Sequence, residues 1–308
     1  MAHRKDRVMT LPEAVASVTD GSTVVLGGCF NHNKPMAVVR ELVRQGRKNL
    51  TVVAPPTGSM DVDLLVGAGA TDHVVSAYVG FEHLGLAPHF RARCQAGDLK
   101  VWECDELHLM VALEAAARCS PCGLTRAGLG TDLPRLNPEL RVIADPFTGE
   151  PVIAVRALRA DVAFLHVQEA DPFGNARHLG SVFGDVLIAQ AVKRQGGKVF
   201  VTVDRLVHPG TPGWDPRQVT LPHMLVDGVI EVPFGAHPTS SHSLYLSDEE
   251  HFRRYLAAAR SPEGWQAYLE EFVHGPADQA DYLERCGGVR RMMALGGAAE
   301  WRRSTPGN

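Results

Sequence analysis

Thr23-Val24-Val25-Leu26-Gly27-Gly28-Cys29-Phe30 is a short apolar run that stops on two glycines. It reads as a buried strand, too short for a helix and bounded by the turn Asp20-Gly21-Ser22. Gly27-Gly28 brings bare backbone N–H groups to the carboxyl end of that strand. Open α/β sheets bind ligands beyond this edge. Glycine allows a positive φ and close approach, and two such amides can stabilise a carbonyl oxygen that gains charge. A tight strand-to-helix turn with no chemistry accounts for the same glycines. No Gly-Lys-Ser/Thr follows, and GxGxxG is missing. Neither a P-loop nor a dinucleotide fingerprint is therefore present.

Outward from this run, strands and helices alternate. Periodicity predicts helices over 11–18, 36–45, 61–66, 81–96, 106–118 and 186–194. It predicts strands over 50–54, 74–78, 99–103, 162–167 and 198–203, with a strand-like stretch at 228–232. Pro35 suits the first turn of the second helix. Residues 120–160 are richer in Pro, Gly and Arg and read as irregular structure or a β extension. Residues 248–285 are helical in pattern, with Trp265, Tyr268, Phe272 and Tyr282 as packing residues. The fold class is α/β, an open and mainly parallel sheet with helices on both faces. One domain over 8–288 is expected, with 289–308 a partly disordered tail and 302–308 disordered.

The 308 residues carry 31 Lys+Arg against 35 Asp+Glu, a net charge of −4. The basic residues are scattered, which argues against nucleic acid as a partner. No run approaches a membrane span, and the N-terminus lacks a signal-peptide core, so a cytoplasmic location is expected. Of six cysteines only Cys119 and Cys122 form a CxxC, without a second pair for zinc. They read as structural. No HExxH and no Gly-x-Ser-x-Gly elbow occurs.

Several loops could carry chemistry. Lys34, in Asn31-His32-Asn33-Lys34-Pro35, stands at a helix start, where it meets an anionic group or is merely a solvated lysine beside a capping Asn33. Trp102-Glu103-Cys104-Asp105-Glu106 crowds three carboxylates at a strand exit. Either Asp105 caps the helix, or a carboxylate there activates water or a substrate proton. Arg126-Ala127-Gly128-Leu129-Gly130 is a plausible carboxylate-binding loop. Asp171-Pro172-Phe173-Gly174-Asn175 and Phe234-Gly235-Ala236-His237-Pro238 each follow a strand.

Taken in order over about Val8 to Gly288, these loops resemble those of family I coenzyme A transferase α subunits of the glutaconate type. Gly27-Gly28-Cys29-Phe30 resembles the family's GGF or GGW loop, with Cys29 a departure in spacing. Lys34-Pro35, the Asp171–Asn175 turn, Phe234–Pro238 and the Tyr282-Leu283, Cys286-Gly287 tail resemble the family's too. The resemblance implies a CoA thioester as substrate, no bound cofactor or metal, and a β subunit in an α₂β₂ assembly. The nucleophilic glutamate of the family sits in a Ser-Glu-Asn-Gly setting that this chain lacks. Gly27, Gly28, Cys29 and Phe30 would then supply the oxyanion and acyl side, and Asn31, Lys34 and Arg126 the substrate side. The acidic stretch and the Arg126 loop also resemble a hydrolytic branch that opens a ring of a steroid-derived CoA thioester. There Glu106 matches the acidic catalytic residue. A non-catalytic scaffold subunit is a further alternative. A sugar-phosphate isomerase would need a basic phosphate loop that is missing.

Overall fold

The computed structural model describes residues 5–209, 211 and 213–304, with side chains to residue 297. Its strands are β1 (Thr23–Leu26), β2 (Leu50–Val53), β3 (Thr71–Val75), β4 (Lys100–Val101), β5 (Cys122–Thr125), β6 (Leu140–Ala144), β7 (Pro151–Arg156), β8 (Val162–Ala170), β9 (Ala176–Arg177), β10 (Lys198–Leu206) and β11 (Gly228–Glu231). Seven form a parallel array in the order β11-β10-β8-β1-β2-β3-β4, and β9 turns back antiparallel on β8. The Thr23–Leu26 run is thus the central strand β1. Its side chains alternate between faces as a pleated strand must. Val24 and Leu26 join the core beneath the Met36–Arg44, Met60–Gly67 and C-terminal helices. Val25 joins the core beneath the Glu106–Ala117 and Asp185–Arg194 helices. Helices therefore cover both faces of an open, mainly parallel sheet.

Residues 120–160 form a separate antiparallel sheet, β5-β7-β6, so the β extension is the correct reading of that segment. β8 continues to Ala170, beyond the predicted 167, because its last residues pair with β9. The predicted helix over 81–96 is broken. A 3₁₀ turn spans Glu82–Leu84, Gly85 adopts φ +117°, and the α-helix starts only at Pro88. Proline there fits a first turn, where an amide is not required. The 248–285 stretch divides at Ser261-Pro262 and at Gly275-Pro276 into Glu249–Ala258, Pro262–Leu269 with a π turn, and Gln279–Arg285.

The tail departs from expectation. A helix spans Gly288–Ser304, and its Met292 and Leu295 pack with Ala236 and Tyr245. Residues 302–304, predicted disordered, lie on that helix, while 305–308 lie outside the described residues. No described helix is long and apolar enough to cross a membrane.

Candidate active site

Beyond β1 the chain makes a two-residue hairpin turn. The Cys29 and His32 amides each donate to the other's carbonyl, at 3.0 and 2.9 Å. The turn demands a positive φ at Gly28 (+77°) and at Phe30 (+48°). A bulky residue rarely adopts that conformation, so its surroundings must hold it there. A Cβ on Gly28 would collide with the carbonyl oxygen of His32, which explains the glycine.

Where the amides of this loop go corrects the oxyanion reading. The Gly27 N–H donates to the Phe164 carbonyl on β8 (2.9 Å). The Gly28 N–H donates to Asp185 Oδ1 (3.0 Å), and the Phe30 N–H to Thr57 Oγ1 (2.9 Å). All amides from Gly27 to Phe30 are therefore engaged inside the chain. The glycines permit the turn and the close approach of Asp185. They do not present free donors.

Lys34 also differs from expectation. It is fully buried, with its ammonium 3.1 Å from Asp61 Oδ2 and donating to the Thr57 carbonyl at 2.7 Å. It closes the loop from beneath instead of meeting a substrate anion. Asn31 is 4% exposed; its amide group donates to Glu82 Oε2 (2.7 Å), and its carbonyl oxygen accepts from the Ser59 hydroxyl. Asn33 is buried too. It accepts from Gln168 Nε2 and from the His242 amide, and its own amide donates to the Ser240 carbonyl. Gln168 continues to Ser241, and Ser241 to Asp204, which also faces His166 at 3.0 Å. Buried polar networks fix one arrangement only when each member is satisfied, and this one joins the loops after β1 and β11 through the ends of β8 and β10.

Glu106 stands in a different state. It is exposed on the first turn of its helix and makes no hydrogen bond or ion pair among the described residues. Its neighbour Asp105 caps the helix by accepting the His108 amide at 2.7 Å, so the capping reading holds for that residue. Glu106 nonetheless lies near the turn. Burial pushes the Cys29 thiol up, Thr57 and Lys34 oppose the rise, and the carboxylates of Glu106 and Glu82 add to it. Cys29 is thus a protonated thiol and a poor nucleophile. Arg126 is exposed and has no hydrogen bond to Glu106 or to residues 27–31. Its loop rests on the Glu106 helix, because His108 Nε2 lies 2.9 Å from the Ala127 carbonyl oxygen.

His32 packs its ring against His242 (4.8 Å) and Phe183 (6.2 Å) and lies 2.6 Å from the Ser240 hydroxyl. Burial lowers the imidazolium stability of His32 and His242 alike. A cavity of about 750 Å³ opens here, lined by His32, Ser240, His242, Ser243, Glu249 and Arg291 among others.

This site sits in a fold with known relatives. A family model described as coenzyme A transferase matches residues 8–232. The chain belongs to the coenzyme A transferase family. The crystal structure of glutaconate coenzyme A-transferase from Acidaminococcus fermentans superimposes with a TM-score of 0.87 at 30% identity, covering 94% of this chain and 95% of that one. A relative described as the cholesterol ring-cleaving hydrolase IpdA subunit of Rhodococcus jostii is 36% identical over 293 residues, covering 90% of this chain and 95% of that protein. An uncharacterized protein of Archaeoglobus fulgidus is 37% identical over 293 residues, and the match spans 64% of its length.

Within this coenzyme A transferase fold, the two other motifs are structural. Asp171 Oδ1 accepts the amides of Phe173 and Asn175 and so closes the β8–β9 hairpin. His237 is buried between Asp248 (3.1 Å) and the Tyr282 hydroxyl (2.8 Å), far from solvent. Sequence reasoning missed Thr57, Glu82, Asp185 and Ser240. Asp185 opens its helix, where an acidic residue is read as favourable to the dipole and nothing more.

Proposed function

We propose that this chain is the α subunit of a heteromeric CoA-transferase, which moves coenzyme A between an acyl-CoA and a carboxylate acceptor. The observation that carries this reading is the locked Gly27–Lys34 turn at the carboxyl edge, in a fold that matches glutaconate coenzyme A-transferase over nearly its whole length. The attacking carboxylate comes from a β subunit. It displaces the thiolate of coenzyme A to give a mixed anhydride; the returning thiolate attacks the glutamyl carbonyl and expels the acyl group as its carboxylate, leaving an enzyme thioester that the acceptor carboxylate takes up by the same steps in reverse. This chain contributes the turn and one wall of the acyl pocket, around Phe30, Asn31 and the cavity beside His32. Coenzyme A is substrate and no resident cofactor is needed. An α₂β₂ assembly in the cytoplasm is the expected form.

One observation favours a second reading. Glu106 is an exposed carboxylate without a partner, close to the turn, on a helix start. A transferase whose nucleophile sits on the β subunit has no need of it. As the acid/base of a ring-opening hydrolase it takes the proton of the water that attacks a ring carbonyl and returns it to the carbon released when the ring C–C bond breaks, with a cyclic diketone CoA thioester as substrate. Arg126 would then hold a substrate carboxylate or carbonyl from the neighbouring loop.

The complex of this chain with its β subunit, given acyl-CoA and then borohydride or hydroxylamine, separates the two. Transfer predicts a modified β-subunit glutamate and full activity in Glu106→Gln. Hydrolysis predicts no trapped species and loss of activity in Glu106→Gln. If Glu106→Ala and Gly28→Val both leave the complex fully active, the chain is a scaffold and both readings fail.

A further inference from the structure

Every backbone amide from Gly27 to Lys34 but one has an acceptor. Gly27, Gly28, Cys29 and Phe30 donate as described, His32 donates to Cys29, Asn33 to the Ser240 carbonyl, and Lys34 to Thr239 Oγ1 (3.3 Å). Pro35 has no N–H. Of the amides from Gly27 to Lys34, only that of Asn31, on the tip of the turn, has no acceptor among the described residues.

Asn31 is held by Glu82, Ser59 and the Ser240 amide, and a buried pair lies behind the turn. Asp185 has no exposed surface. One of its oxygens accepts the Gly28 N–H, and the other lies 3.0 Å from His178 Nε2, a ring with no exposed surface either. His178 Nδ1 is in turn 2.7 Å from the Thr220 hydroxyl, which fixes the ring. Gly27 has room for no side chain here, since a Cβ would approach Asp185 Oδ1 to 2.6 Å. A carboxylate placed against the inner side of the turn withdraws the Gly28 amide from chemistry. It also holds the positive φ of Gly28, while the Thr57 hydroxyl on the Phe30 amide holds that of Phe30, and the direction of the next amide depends on both.

We infer that Asp185, fixed by His178, is a positioning residue, and that the backbone N–H of Asn31 is the oxyanion donor this chain offers to a thioester carbonyl. The inference rests on the acyl-CoA reading above. It moves the donor from the glycines to the residue after Phe30, and it assigns the glycines to the geometry of the turn. The donor acts on whichever carbonyl gains charge, so transfer and hydrolysis use it alike.

The test uses the αβ complex, with Asp185→Ala and Asp185→Asn compared. Asparagine keeps an oxygen for Gly28 and an amide for His178, whereas alanine keeps neither. Asp185→Ala is expected to lower kcat about tenfold or more with KM within about threefold, and Asp185→Asn to restore most of it. Gly28 amide hydrogen exchange, followed with ¹⁵N-glycine, should accelerate about 100-fold in Asp185→Ala and stay protected in Asp185→Asn. With ¹⁵N-asparagine label, S-acetonyl-CoA, whose ketone mimics the thioester, should shift the Asn31 amide and leave Gly28 in place. A folded Asp185→Ala variant with wild-type kcat overturns the inference, as does unchanged Gly28 exchange or a ketone-dependent shift at Gly28 in place of Asn31. The exchange readout needs no turnover. An inactive wild-type complex with the predicted exchange pattern would therefore sink the acyl-CoA reading and leave the positioning role intact.

Discussion

The Gly27–Lys34 turn and the Glu103–Glu106 strand exit face the same end of the sheet in opposite states. In the turn nearly every donor and charge has a partner inside the chain, down to a fully buried lysine on Asp61. At the strand exit Asp105 is used as a cap, and Glu106 is left exposed and unpaired among the described residues. The difference teaches how to divide roles. Satisfied, buried groups hold shape, and groups left open at the edge are those available to substrate, water or a second chain. Substitutions that break the buried pairs of the turn should therefore cost stability, and substitutions at the strand exit should cost little of it.

The largest effect should come from Lys34→Met. It leaves the Asp61 carboxylate buried without its cation, which costs about 3–5 kcal/mol. Urea unfolding of the single variant measures this. Lys34→Met with Asp61→Leu should recover most of the loss, and a single variant as stable as wild type would remove the contrast between the two regions.

Asp63 lies on the same helix as Asp61 but has no cation. Burial pushes its carboxyl from 3.8 up to about 6, against opposing hydrogen bonds from the Phe90 amide and the Tyr255 hydroxyl. The folded state therefore holds a proton that the unfolded chain releases. That contribution is fully present below the unfolded value, fades as pH rises from 3.8 to about 6, and is absent above. The loss amounts to roughly 2–3 kcal/mol, at about 1.4 kcal/mol for each pH unit. Asp63→Asn should flatten this part of the stability–pH curve, measured by denaturant midpoints across that window. An identical slope in the variant would contradict the burial argument.

At the strand exit the costs shrink. Asp105→Ala should lose about 1 kcal/mol through the missing cap, read from the thermal midpoint. Glu106→Gln should change stability by less than about 1 kcal/mol, the range of a charge at a helix start, and Arg126→Gln by no more than about 0.5 kcal/mol. A large loss from either would mean that the edge is as tightly built as the turn.

The parallel class of the sheet was readable, because Val24, Val25 and Leu26 and the apolar run of β8 have few alternatives to a buried parallel sheet, whereas the order of its strands came from the fold. The helix over 81–96 was misread for a local reason. Its apolar spacing is helical, yet Gly85 takes a positive φ that ends any helix before Pro88. Lys34 was misplaced for a tertiary one. Lysine is almost never fully buried unless paired, and its partner Asp61 stands in a different segment. Asp185 was invisible on the same grounds, since nothing near Gly28 in the chain announces a carboxylate that arrives from beyond β9. The Gly28 turn was a candidate from local pattern, Glu106 was singled out by the resemblance to a hydrolytic branch, and the states of both required the fold.

The central claim is that this chain is half of an acyl-CoA site. Thioester turnover, measured on the chain purified alone and again after co-expression with its β subunit, tests it most directly. The account predicts no turnover of acyl-CoA by the chain alone and turnover by the complex. Full activity in the chain alone would contradict it.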